Sequence, residues 1–89
     1  MKRTYLEVTF RKGKAVAAYL YLPRLPNAKA ARTVELRPTV LVDYSATGEP
    51  IGLELTAPSG VDVSLVNSVL LEIGIAQIDG SDLAPLRAA

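Results

Sequence analysis

Two stretches of this chain alternate so regularly that only one side of each can be buried. Residues 4–10 place Leu6, Val8 and Phe10 on one side and Tyr5, Glu7 and Thr9 on the other, the period of a half-buried strand. Residues 15–22 continue as a second strand rich in Tyr, Leu and Val, and Arg11-Lys12-Gly13-Lys14 between them signals a turn. Parity then selects the register. A two-residue loop at Lys12-Gly13 pairs Phe10 with Ala15 and Leu6 with Tyr19. A three-residue loop over residues 12–14, or an equivalent bulge, pairs Phe10 with Val16, Val8 with Ala18 and Leu6 with Leu20. Only the second choice gathers the aliphatic residues on one face, and a one-residue slip reverses it. Tyr5, Glu7, Tyr19 and Tyr21 fall on the opposite face.

A second hairpin follows the same logic. Residues 39–44 and 51–56 flank Ser45-Ala46-Thr47-Gly48, where Gly48 is free to take positive φ. A four-residue loop pairs Val42 with Ile51 and Val40 with Leu53, which again collects the aliphatic side chains. Leu41, Asp43, Pro50, Gly52 and Glu54 take the other side, and Gly52 reads as room for close packing. Between the hairpins, Pro23 and Pro26 break the strand, residues 23–31 read as a surface loop, and residues 33–36 form a short extended piece ended by Pro38.

The last regular element is an amphipathic helix over residues 63–73. Asp62 suits its N-cap, Val61 and Val66 have the spacing of a hydrophobic staple, and Gly74 suits a left-handed C-terminal residue, with Ile75 placed against Leu70. Leu65, Val66, Val69, Leu70 and Ile73 share one stripe, and Leu71 points away from it. Ser81-Asp82-Leu83 can start one more helical turn. The expected architecture is one α+β domain over residues 1–89: an antiparallel sheet of four to five strands (about 4–56), a helix on one face, and a C-terminal tail (75–89). The expected core is Leu6, Val8, Phe10, Val16, Leu20, Val40, Val42, Ile51, Leu53, Leu65, Val69 and Leu70.

Composition narrows the function classes. A chain of 89 residues buries only roughly 60–65% of the surface its unfolded form exposes, yet 49% of the residues are hydrophobic. Self-association is the simplest outlet for that excess, so a homodimer is expected. There is no Cys and no His, which removes thiol chemistry, the commonest metal ligand and the commonest general base at neutral pH. No cofactor, metal site or catalytic set is expected. No apolar run suggests a signal peptide or a membrane span, so a cytoplasmic location is the default. The net charge of +1 is unevenly placed. Residues 1–37 carry nine basic side chains, including Lys2, Arg3 and Arg24, against Glu7 and Glu35, whereas residues 38–89 carry Arg87 against seven acids. Either an anionic partner or self-complementary association fits such asymmetry, unless the two halves interleave in space.

The second hairpin carries a resemblance. Val42-Asp43-Tyr44, then Gly48, then Ile51-Gly52-Leu53-Glu54-Leu55 resembles the family named domain of unknown function 2283. There a valine-aspartate-tyrosine-aspartate run precedes a glycine turn and a glycine-isoleucine-glutamate-isoleucine strand. Ala17-Ala18-Tyr19-Leu20-Tyr21-Leu22 is similar to the family's upstream strand. Thr56-Ala57-Pro58-Ser59 and Asp82-Leu83-Ala84-Pro85-Leu86 are similar to endings of some relatives. The chain departs from the pattern at Val16 and Ser45, where the family often has acids. The resemblance implies a small prokaryotic protein of no assigned activity, with genes for toxin-like proteins as neighbours.

The candidate sites are surfaces. Asp43 and Glu54 are the best carboxylate pair, but the expected register separates them by about 13 Å, beyond the roughly 5–9.5 Å of a glycosidase pair, and both read as solvated. Tyr5, Tyr19 and Tyr21 share a face beside Arg11, Lys12 and Lys14. That face can be strand surface, a protein interface, or a stacking platform for nucleic acid with the basic residues holding the anion. Glu7 among the tyrosines opposes the last. Leu71 is a further candidate contact. The leading expectation is a non-enzymatic, homodimeric protein-interaction module; the alternative is a nucleic-acid-binding module using Tyr5, Tyr21 and the basic turn.

Overall fold

A computed structural model describes residues 4–23 and 28–87. Lys2, Arg3, Arg24 and the middle of the expected 23–31 loop lie outside the described residues. The architecture is α+β: a five-stranded, wholly antiparallel open sheet followed by one helix and a 3₁₀ segment. The strands are β1 (Tyr5–Arg11), β2 (Lys14–Tyr21), β3 (Arg32–Arg37), β4 (Val40–Tyr44) and β5 (Pro50–Leu55), in the spatial order β1-β2-β5-β4-β3. The helix, α1, spans Val63–Glu72. A short 3₁₀ turn at Pro58–Gly60 precedes it and another over Gly80–Arg87 follows.

The first hairpin keeps the expected pairs of Val8 with Ala18 and Leu6 with Leu20, by a bulge rather than the longer loop, but Phe10 does not pair with Val16. Lys12 (φ 53°) and Gly13 (φ 78°) form a two-residue turn with both central φ values positive, the twist that matches right-handed strands. Arg11 faces Lys14 and Phe10 faces Ala15, then Thr9 faces Ala17, which leaves Val16 as an extra residue. The bulge restores parity, so Val8 meets Ala18 and Leu6 meets Leu20. Two expected core residues do not follow. Phe10 is 42% exposed and Val16 43%. Pairing of β2 with β5 begins only at Ala18, so the turn end of the hairpin overhangs the sheet, and neither side chain reaches the buried cluster.

The second hairpin corrects the expected register by two residues. Val42 faces Leu53, Val40 faces Leu55 and Asp43 faces Gly52. The loop is held by Ser45, whose N–H donates to the Glu49 carbonyl (2.8 Å) and whose Oγ accepts from the Glu49 N–H (3.2 Å), with Gly48 at φ 87°. Tyr44 then faces Pro50, which makes Ile51 a bulge residue. Ile51 is buried, but outside the aliphatic cluster; it lines a hollow on the tyrosine side. A bulge re-aims a side chain in this way.

The core lies on the other side of the sheet. Leu20, Val42, Leu53 and Leu55 pack in one cluster with Val66, Val69 and Leu70 of α1, while Leu6, Val8, Leu65 and Ile73 are half-buried at its margin. Asp62 caps the helix through Oδ1, accepting the Leu65 N–H at 2.8 Å. Gly74 (φ 78°) ends it, with the Ile75 N–H donating to the Leu70 carbonyl and the Gly74 N–H to that of Leu71. Leu83 and Leu86 complete the cluster. The Asn67 side-chain amide ties the tail down by exchanging two hydrogen bonds with the backbone of Ile78.

Candidate functional site

The face opposite the core is organised as two rungs that cross all five strands. In the first, Tyr5, Tyr21, Gly52, Asp43 and Thr33 stand in a row from β1 to β3. In the second, the row is Glu7, Tyr19, Glu54, Leu41 and Glu35. Period-two alternation puts these ten residues on one side, and the open order of the sheet brings the carboxylates of β4 and β5 beside the tyrosines of β1 and β2.

Gly52 is the gap in the first rung, and Tyr19 fills it. The Tyr19 ring leans from the neighbouring rung over Gly52, so closely that a methyl group there would overlap it. Its hydroxyl donates to Asp43 Oδ2 at 2.9 Å, and the Thr33 hydroxyl donates to Oδ1. Asp43 is therefore 5% exposed, not solvated, with both oxygens engaged. Charge-assisted bonds of this kind are what permit a carboxylate to be buried. The tyrosines also hold one another. The Tyr5 and Tyr21 rings stack with centroids 4.6 Å apart at 11°, Tyr19 meets Tyr21 edge-on at 4.7 Å and 66°, and the Tyr21 hydroxyl donates to Glu7 Oε1 at 3.0 Å.

The corrected register also moves the carboxylate pair. Glu54 is now the diagonal neighbour of Asp43, about 7 Å away along the sheet rather than 13 Å. Glu54 is raised above its ordinary value of 4.5, first by burial and second by the Asp43 charge. The spacing alone suits paired-acid chemistry, although each Asp43 oxygen already accepts a hydrogen bond and the residue is 5% exposed. Among the described residues, no group of three or more acids is placed to hold a metal ion, and no helix is long and apolar enough to cross a membrane.

The interaction residues expected from sequence divide. Tyr5, Tyr19 and Tyr21 come together, and Tyr5 remains half exposed. Arg11, Lys12 and Lys14 are exposed but sit at the overhanging turn, roughly 15 Å along the strands from Tyr19, so they do not flank the tyrosines. Leu71 is 70% exposed on the helix, away from this face. The charge asymmetry of the two halves is diluted, because acid-bearing β4 and β5 lie between β2 and β3. An open hollow of about 480 Å³ adjoins the rungs, lined by Glu7, Tyr19, Tyr21, Asp43, Ile51 and Lys29. The sequence pattern already turned Asp43 and Glu54 away from the aliphatic core; their nearness to each other comes from the register of β4 on β5, and the place of Thr33 beside Asp43 from that of β3 on β4.

No protein-family model, curated protein or solved structure matches this chain.

Proposed function

We propose that the protein is a non-enzymatic interaction module, working as a homodimer, which engages a protein partner through the tyrosine face. The observation that supports this reading is the pair of rungs. Braced tyrosines lose little freedom on binding, and a half-exposed ring with a phenolic tip suits an interface centre. The carboxylates Glu7, Glu35 and Glu54 share that face, so a partner segment carrying Arg or Lys fits it by charge and by cation–π contact. The same carboxylates repel phosphates, which counts against a nucleic-acid platform. The family resemblance adds a toxin-like protein as the partner.

Tyr5 is the residue to test, because Tyr19 is committed to Asp43 and its loss would disturb the fold. Tyr5→Ser and Glu7→Lys should each abolish capture of a host protein that the unaltered chain retains, while Leu71→Ser should not. Capture that survives both changes would overturn the reading.

A further inference from the structure

We propose that the outer edge of β1, which no other described strand pairs, pairs with β1 of a second copy, antiparallel about Val8, and that this brings Arg11 of the second copy beside Tyr5 and Glu7. The inference deepens the proposed function and rests on its homodimer. Arg11 and Lys14 close the two-residue turn, so their backbone groups face each other. Alternation then turns the backbone groups of Thr9, Glu7 and Tyr5 toward β2 and leaves those of Leu6, Val8 and Phe10 on the open edge. These form a regular row, since the bulge in this hairpin falls on β2. The opposite edge is different. There Glu35 faces Leu41 and Arg37 faces Val40, so β3 itself bulges at Leu36 and its edge is blunted.

A twofold axis at Val8 makes β1 complementary to itself. Leu6 faces Phe10 of the second copy, Val8 faces Val8, and Phe10 faces Leu6, so the core-side face of the junction is wholly apolar. Phe10, left 42% exposed on the overhang, gains a cover. On the outer face Tyr5 meets Arg11 of the second copy, Glu7 meets Thr9, and Glu7 lies diagonal to Arg11, within reach of a long side chain. No like charges oppose each other. Shifting the axis by two residues in either direction shortens the paired stretch and discards the Tyr5–Arg11 contact. The pairing joins two sheets into one, and the basic turn that lies far from the tyrosines within one chain lies next to them across the junction.

Sedimentation equilibrium of the protein alone should give twice 9.5 kDa. Phe10→Pro removes an edge N–H and the apolar contact without touching a bond to β2, so it should weaken the dimer at least about tenfold while far-UV circular dichroism is unchanged. Glu7→Arg and Arg11→Glu should each weaken it, and the two together should restore it, a rescue that damage to the monomer would not produce. A single 9.5 kDa species at all concentrations, or a dimer indifferent to all these changes, would overturn the proposal. Partner capture is read separately. A monomer that still captures its partner removes the edge pairing alone, and a dimer that captures nothing removes the tyrosine-face reading.

Discussion

Gly52→Ala is a severe change for a single methyl group. At most strand positions Ala is a mild replacement for Gly, and it returns about 0.5–1 kcal/mol by restricting the unfolded chain. Here the methyl would occupy the space of the Tyr19 ring and hydroxyl. The neighbour cannot give way without breaking its 2.9 Å bond to Asp43, a carboxylate only 5% exposed. Losing a hydrogen bond to a charged group costs about 1.5–3 kcal/mol. Forcing an aromatic ring out of a packed site adds about 1–3 kcal/mol. The net loss is about 3 kcal/mol, a large share of the 5–15 kcal/mol typical of a whole domain. Urea unfolding of the two proteins measures it. Tyr19→Phe alone should cost about 2 kcal/mol. The double variant should fall short of the sum by about the same amount, because Gly52→Ala has already broken that bond. A Gly52→Ala protein within about 0.5 kcal/mol of the original, or strict additivity of the pair, would refute the placement of Tyr19 over Gly52.

Three further variants test the two sides of the sheet and the helix surface. Glu54 is raised by burial and by Asp43, so the folded state binds its proton more tightly than the unfolded state does; the contribution of this one group to stability is fullest below the ordinary 4.5 and falls as pH climbs through the folded value. Glu54→Gln should remove that fall and leave the protein at least as stable at pH 7, and a steeper loss between acid and neutral pH in the Gln variant would contradict it. Leu83→Ala should cost about 2–4 kcal/mol in urea unfolding, since Leu83 is 4% exposed in the central cluster; Leu71→Ala, on a side chain 70% exposed, should change stability by less than about 0.5 kcal/mol.

The layout of the fold was legible because several weak signals agreed. Parity in the first hairpin, the Asp62 cap, the Gly74 terminator and the breaks at Pro23 and Pro38 each act locally, and none competes with a long-range alternative. The second hairpin was harder. Registers two residues apart keep the same faces, so the aliphatic pattern of Val40, Val42, Leu53 and Leu55 cannot choose between them. The choice is made by the loop, where the Ser45 backbone and hydroxyl bond to Glu49 and push the extra residue into a bulge at Ile51. Everything that depends on that choice was hidden with it: the row running from Tyr5 to Thr33, the burial of Asp43 and its nearness to Glu54. Leu83 and Leu86 were missed for another reason. They sit three apart in a 3₁₀ segment, where i and i+3 side chains eclipse, and one such pair carries no periodicity to detect. The overhang that exposes Phe10 and Val16 depends on where β2 meets β5, a contact between segments more than thirty residues apart in sequence.

The most direct measurement is a set of nuclear Overhauser contacts from the tyrosine rings in solution. Tyr19 ring protons should show strong contacts to the Gly52 α-protons, with those protons shifted upfield by the ring current, and Tyr5 and Tyr21 should contact each other. Contacts from any of these three rings to the methyl groups of Val66, Val69 or Leu70 would place the tyrosines beneath the helix and contradict an outward tyrosine face.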